Sequence, residues 1–430
     1  MAAPIRFEPY WWEAAAPLVS AHDPVAATCD VAIVGAGYTG LSAARILAGA
    51  GLSVQVFDRM RVGEGASSRN GGILSGNLRL GLGAAMHEVG YEKAVALYRE
   101  GVAARVFLET TIRDTGIDCD YRMSGRFTGA LNIEDFEAMK READLLDEHV
   151  GIAAEAVGKP DLAQEIGAAG YSGGVLRPDI GVFHPAKFLH GLLALATGAG
   201  AVVHGETAVR GVAREGGGFD VATARGLVRA RHVIVATNGY GDASDRWLRR
   251  RIVPVRSRMV VTGEIPDTLM THLLPKRRAM GENRNLYRYF RPSPDGKRIM
   301  LGSREPALGA TPRVAAEHVR RGLASIFPEL SDVAITHSWS GNVAFSREAL
   351  PLIFERGGIH YACAYGGSGT VWAHWLGTKV AMRILERSEG RSAFDAVPRA
   401  VPFFAGRPWF LPAAMAWYGV KDRRKVRRPR

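Results

Sequence analysis

Residues 29–58 constrain this chain more than any other stretch. The short apolar run Val31-Ala32-Ile33-Val34 leads directly into Gly35-Ala36-Gly37-Tyr38-Thr39-Gly40. Leu41, Ala44, Leu47 and Ala48 then recur at helical spacing until Gly49 and Gly51 stop the pattern. A second strand, LSVQVFDR at 52–59, closes on Asp58. This is one βαβ unit, and each glycine in it has a physical task. Gly35 allows the tight turn, Gly37 lets a pyrophosphate approach the backbone, and Gly40 lets helix pack on strand. A diphosphate then sits on the helix N-terminus, where free N–H groups and the dipole favour anions. Asp58 follows Gly40 at the distance where a carboxylate takes the ribose hydroxyls of an adenosine.

The fingerprint alone does not separate FAD from NAD. The next segment does more. EGASSRNGGILSG at 64–76 supplies a second backbone cradle, with Arg69, Asn70, Gly71 and Gly72. A nicotinamide enzyme has no need of it, whereas a flavin needs its ribityl chain and ring held against main chain. The bland alternative is a long flexible loop. A third glycine cluster, Gly366-Gly367-Ser368-Gly369, lies between the strand HYACAY and a helix. Its N–H groups suit the pyrimidine end of a flavin, which becomes negative on reduction.

Length and composition bound the rest. A chain of 430 residues exceeds one packed core, so two domains are expected. Glycine is about 12%, above the usual roughly 7%, with no triplet period. No run of apolar residues is long enough for a membrane span. The N-terminus lacks the pattern of a secretory signal. Cys29, Cys119 and Cys363 are too few and too scattered for a disulfide framework or a zinc site, and fit a cytoplasmic protein; no metal is expected. The formal net charge is +12, and half of the excess falls in KDRRKVRRPR at 421–430. That tail reads as a solvated, frayed end, with docking to an anionic partner as the alternative. No basic patch interleaved with aromatics suggests nucleic acid.

Further along, helical patterns cover 84–116 and 133–150, with a strand pair between them. A helix near 185–199 precedes strands around a glycine turn at 216–218. A hairpin spans 286–301 with Pro294-Asp295-Gly296 at its turn, and helices follow at 312–327 and 371–388. No single linker divides the chain, so the two domains interleave.

These segments together resemble the FAD-dependent oxidoreductases of the D-amino-acid oxidase type, the branch of glycine/sarcosine oxidases and γ-glutamylputrescine-type amine oxidases. The matching pieces are PYWWE, the GAGYTG unit with Phe57-Asp58, GASSRNGG, GVFHPAKF, VIVATNGY, YFRPSPDGKRIMLGS, SREALPLI, YGGSGT and PWFLP. The resemblance implies an α/β chain, a Rossmann-like FAD-binding domain interleaved with an α+β substrate domain built on a mixed sheet. The expected division is 28–85, 185–251 and 335–400 for FAD, 86–184 and 252–334 for substrate, and 401–430 as a C-terminal segment. Carried onto this chain, the cofactor-binding residues are Gly35, Gly37, Tyr38, Thr39, Gly40, Asp58, Arg59, Ser67, Ser68, Arg69, Asn70, Gly71, Gly72, Val209, Thr237, Asn238, Gly366, Gly367, Ser368, Gly369 and Thr370.

The implied reaction is hydride transfer from the carbon beside an amine nitrogen to flavin N5. It gives an imine, and the electrons pass on to O2 or another acceptor. Three positions depart from the sarcosine oxidases. Gly341 stands near their flavin-tethering cysteine, which implies non-covalent FAD. Met300 replaces an oxygen-activating lysine, and Val371 a lysine that holds the substrate carboxylate. For the substrate itself, Tyr287, Tyr289 and Arg291 alternate along the hairpin and share one face. Two rings there would box an amine and Arg291 would take a carboxylate or phosphonate; the same alternation also fits an ordinary half-polar face. His374 is the base candidate, beside core tryptophans Trp372 and Trp375. His184 reads as a structural polar contact or, alternatively, as a cavity group; Arg258 reads as a solvated residue or, alternatively, as an anion ligand. Two other functions remain open on these residues, a flavin monooxygenase and a flavoprotein scaffold docked by its basic tail. A monooxygenase should carry a second Asp-Gly motif at a strand end, but Asp295-Gly296 lies in a hairpin turn.

Overall fold

The apolar run 31–34 is buried on both sides of its sheet, Val31 and Ile33 in a core shared with helices, and Ala32 in a second core shared with Val209, Phe219, Val221 and Val228 of neighbouring strands. The computed structural model describes residues 4–18, 24–305 and 310–426. Among them, the first sheet runs in the order Leu352–Arg356, Ile359–Cys363, Gly226–Val235, Thr28–Val34, Val54–Phe57, Val202–His204. Of its five pairings four are parallel, and only Leu352–Arg356 with Ile359–Cys363 is antiparallel. The hairpin Val209–Glu215 and Gly218–Thr223 extends it on Gly226–Val235. Helices Tyr38–Gly49, Tyr91–Thr115, Pro185–Gly198 and Gly369–Ile384 pack into one core with these strands.

The second sheet runs Ile335–Phe345, Val253–Thr262, Ile299–Arg304, Tyr289–Pro292, Ala279–Glu282, Arg126–Ala130, Gly173–Arg177, Glu155–Gly158. It is antiparallel except where Ala279–Glu282 meets Arg126–Ala130. Helix Pro312–Ile326 covers one face with Val319, Leu323 and Ile326. The other face looks toward the first sheet, and the candidate site lies between them.

Several elements differ from the sequence expectation. The pattern at 84–116 breaks into Leu82–Val89 and Tyr91–Thr115 at Gly90, whose φ of +85° no helix accepts. The second of these sends Leu97, Ala104, Leu108 and Ile112 into the first core, whereas the expected division places 86–184 with the substrate domain. Strand Ile335–Phe345, grouped with the FAD segments by sequence, instead pairs along Val253–Thr262 in the second sheet. The expected strand pair around 126 is one strand, Arg126–Ala130. Residues 411–426 are not frayed. They form a helix in which buried Asp422 accepts N–H groups from Asn285 and Leu286, both at 2.9 Å. Residues 427–430 lie outside the described residues. No described helix is long and apolar enough to cross a membrane, and no described group of His, Cys, Asp and Glu could hold a metal ion.

Where helix Gly369–Ile384 crosses Tyr38–Gly49, the backbones nearly touch. A Cβ on Gly377 would lie 2.3 Å from the Thr39 carbonyl oxygen. Beside that crossing, His374 bridges three helices. Its Nδ1 meets Ser42 Oγ at 2.7 Å and its Nε2 meets Thr111 Oγ1 at 3.0 Å, and its ring stacks on Phe107. It does not line the cavity described below, so the expectation of a catalytic base is corrected to a core contact. Burial, aided by Arg45, pushes its pKa down to about 3. The unfolded chain binds this proton below about pH 6.5, and the folded chain only below about 3, so stability falls with pH across that window. In His374→Gln this loss is absent. The stability gap between wild type and variant, measured by urea unfolding, should therefore narrow as pH drops from 7 to 4, while the pH profile of turnover is the same for both.

Candidate active site

The site starts at the first turn. Gly35 adopts φ +108°, and a Cβ there would sit 2.9 Å from the Ala236 carbonyl oxygen. On Gly40 a Cβ would overlap the Gly35 carbonyl oxygen at 1.9 Å. Helix Tyr38–Gly49 begins with no side-chain cap and no acid in its first turn; the Tyr38 N–H donates to Ser67 Oγ at 3.0 Å. Its N-terminus thus stays available to an anion. At the end of Val54–Phe57 the Asp58 carboxylate accepts the Ala36 and Met60 N–H groups, each at 2.9 Å. Burial raises its pKa against the pull of those donors. Arg59 turns outward to Asp242 at 2.9 Å.

The loop after Asp58 is clamped rather than flexible. Three indole N–H groups hold it. Trp11 donates to Asn70 O at 2.9 Å, Trp12 to Ser68 Oγ at 2.9 Å, and Trp339 to Arg69 O at 2.8 Å. Within the loop, Asn70 donates to Ser67 O at 2.8 Å and accepts the Gly72 N–H at 2.9 Å. The third glycine cluster closes the opposite side. Gly366 and Gly367 take φ +62° and +117°, Gly366 N–H reaches Ala344 O at 3.0 Å, and Thr370 Oγ1 donates to Ile73 O at 2.7 Å.

A cavity of roughly 650 Å³ runs between these loops and the second sheet. Of the residues expected at the cofactor, Gly35, Gly37, Tyr38, Thr39, Asp58, Arg59, Ser67, Arg69, Asn70, Gly71, Val209, Thr237, Asn238, Gly366, Gly367, Ser368, Gly369 and Thr370 line it. Gly40, Ser68 and Gly72 stand behind its wall. Gly40 packs helix on strand, Ser68 receives Trp12, and the Gly72 carbonyl accepts from Phe183 N–H and Arg291. Buried Thr237 Oγ1 has no hydrogen-bond partner among the described residues, which leaves a hydroxyl for a ligand. A backbone cradle, a free helix terminus, a buried carboxylate and this orphan hydroxyl fit a dinucleotide with a flat ring. Gly341 lines the cavity, whereas Cys363 is buried away from it, so no thiol stands ready to tether that ring.

On the sheet side Tyr287 and Tyr289 line the cavity as a stacked pair, centroids 6.0 Å apart. Arg291 does not join them. It is fully buried and donates to the carbonyls of Gly72 and Phe183, both at 2.9 Å. Burial pushes its pKa down to about 9. It braces the clamped loop and cannot reach a substrate carboxylate. Met300, opposite Arg291, is buried with Trp11, Val261 and Trp339, so it does not front the cavity either. His184 caps helix Pro185–Gly198 by accepting the Lys187 N–H, and Arg258 is buried on Glu305.

Sequence reasoning missed Arg79, Arg126 and Arg304, which do line the cavity. Arg304 was within reach. It follows Met300 and Gly302 at a period of two on Ile299–Arg304, and Gly302 pairs with Tyr289. Burial pushes the pKa of both Arg126 and Arg304 down to about 10. Arg79 and Arg126 come from other segments, and no local pattern marks them.

The chain matches the family described as FAD dependent oxidoreductase, DAO, over residues 30–383. Gamma-glutamylputrescine oxidoreductase of Escherichia coli is 30% identical, covering 92% of this chain and 93% of that one. Glycine oxidase of Pseudomonas aeruginosa is 30% identical over 75% of this chain and 85% of its own length. Among solved structures, glycine oxidase from Geobacillus kaustophilus superposes with a TM-score of 0.72 at 19% identity, covering 89% of this chain and 99% of that one. With the cradle, the clamped loop and the two-sheet frame in place, the chain belongs to the DAO family of FAD-dependent oxidoreductases.

Proposed function

We propose that this enzyme oxidises the C–N bond of a primary or secondary amine that carries a carboxylate, giving an imine. The first sheet and its helices form the FAD-binding part and the second sheet the substrate part. When bound, FAD supplies a two-electron acceptor for the hydride leaving the carbon beside nitrogen. The cofactor would be held non-covalently by Gly35, Gly37, Gly71, the turn at 366–369 and Asp58, and its electrons would pass to O2 or another acceptor.

One observation carries the substrate reading. Arg304 lines the cavity beside Tyr289 with no acidic group among the charges acting on it. A half-buried guanidinium without an internal counter-ion suits an anionic ligand. Arg79 adds a second cation, and both lie against the Phe345 ring, at 5.4 and 5.3 Å. The tyrosine pair offers flat walls for the amine. The cations also favour the neutral amine, whose lone pair must assist hydride loss. No side-chain base is required, in keeping with His374 lying in the core. The names of the relatives, which concern γ-glutamylputrescine and glycine, support an amine or amino-acid substrate.

The direct test is anaerobic mixing of the yellow holoenzyme with a panel of amines. Carboxylate-bearing amines should bleach the flavin; if no amine does so, the reading fails. Arg304→Met should raise KM for such amines by about 10- to 100-fold, the effect of one charge-assisted hydrogen bond pair, and should cost less on amines without a carboxylate. Asp58→Ala should weaken FAD binding by tens-fold or more through lost bonds to the ribose. Titration of apoprotein with FAD checks this, and unchanged affinity would remove Asp58 from the ribose.

A further inference from the structure

The cavity holds a second cationic pole that the reaction above does not use. Arg126 lines it from strand Arg126–Ala130, with its guanidinium 5.5 Å from the Tyr287 ring centroid. The charge acting on it is that of Arg177, and no acid counters it. Its Nε is buried without a hydrogen-bond partner among the described residues, and so is the Tyr287 hydroxyl. The two groups share one pocket of space, because a Cβ on Gly281 would lie 2.5 Å from Tyr287 Oη and 2.6 Å from Arg126 Nη2. Thr128, Arg284 and Asn285 also line the cavity, with Arg284 already paired to Glu282 at 2.8 Å. Buried polar atoms of this kind are normally satisfied, so the orphan Nε of a half-buried cation and the orphan hydroxyl beside it mark a place for a ligand's oxygens.

This pole is distinct from the one at Arg304. The sheet order places three strand spacings between Ile299–Arg304 and Arg126–Ala130, about 14 Å between their backbones. The stacked tyrosines lie between, Tyr289 next to Arg304 and Tyr287 under Arg126. A cation stands at each end of an aromatic wall. A monocarboxylate amine held at Arg304 would leave Arg126 and the Tyr287 hydroxyl uncompensated.

We propose that Arg126 and Tyr287 form a second anion subsite, which selects amines carrying a second, remote carboxylate. This rests on the amine oxidation reading for the turnover test but not for the binding test. The substrate class is a secondary amine with two carboxylate arms, or a primary amino acid with a distal acid. Arg126 binds the remote carboxylate through its guanidinium, and the Tyr287 hydroxyl donates to the same group.

The experiment compares N-methylglycine with N-(carboxyalkyl)glycines of one to four methylenes, using holoenzyme. The best dicarboxylate should exceed N-methylglycine in kcat/KM by about 10- to 100-fold. Arg126→Met should lower that ratio by about the same factor, and Tyr287→Phe by a few-fold. Arg304→Met should depress both substrates and preserve the ratio. Binding of glutarate to holoenzyme, read by equilibrium dialysis without turnover, should weaken about tenfold or more in Arg126→Met. A ratio near one in the wild type, or glutarate binding indifferent to Arg126, overturns the proposal. Glutarate binding that depends on Arg126, in an enzyme whose flavin no amine bleaches, upholds the subsite and removes the oxidation reading instead.

Discussion

The clamping of residues 68–72 between the two sheets is the interaction on which the rest depends. The loop leaves the first sheet after Asp58 and would be free to wander as a glycine-rich connection. Three indole N–H groups and the Arg291 guanidinium prevent this by bonding its carbonyls and a serine hydroxyl. Two of those tryptophans come from the N-terminal segment, one from strand Ile335–Phe345, and Arg291 from strand Tyr289–Pro292. The second sheet and the N-terminus therefore hold the first sheet's cofactor loop. Trp11, Trp339 and Arg291 are buried, so removing the partner of any of them would leave an unsatisfied polar group, the costly outcome in a packed interior.

The same geometry explains why Arg291 and Arg304 differ in task though they share a face. Across the pair of strands, Tyr289 lies opposite Gly302 and Arg291 opposite Met300. Gly71 and Gly302 both leave room for the Tyr289 ring. Beyond it toward Arg291, the loop descends onto the sheet and closes the space. In the other direction, toward Arg304, the cavity stays open. Position along one strand thus decides between a brace and a ligand-facing cation.

The electrostatics follow from this enclosure. Arg126 and Arg304 sit where burial disfavours their charge, and no neighbouring acid restores it. The structural arginines of this chain are held by bonded partners, Arg258 by Glu305, Arg105 and Arg177 by Asp179, and Arg291 by the Gly72 and Phe183 carbonyls. Uncompensated cations in a cavity are a cost to the empty protein that an anionic ligand offsets.

What the sequence by itself determined is local. The glycine spacing at 35–40, the acid at 58 and the second glycine pair at 71–72 prescribe backbone shapes that few other structures need, because positive φ and close approach are properties of the residue itself. The helix-to-strand order and the FAD-type cradle were legible for that reason. The tertiary structure decided everything that required distant segments to meet. It placed Ile335–Phe345 in the second sheet, turned His374 into a core bridge and Arg291 into a loop brace, and gathered Arg79, Arg126 and Arg304 from three separate segments around one cavity. A period of two or 3.6 fixes which face a side chain occupies, but whether that face meets solvent, core or ligand depends on what packs against it.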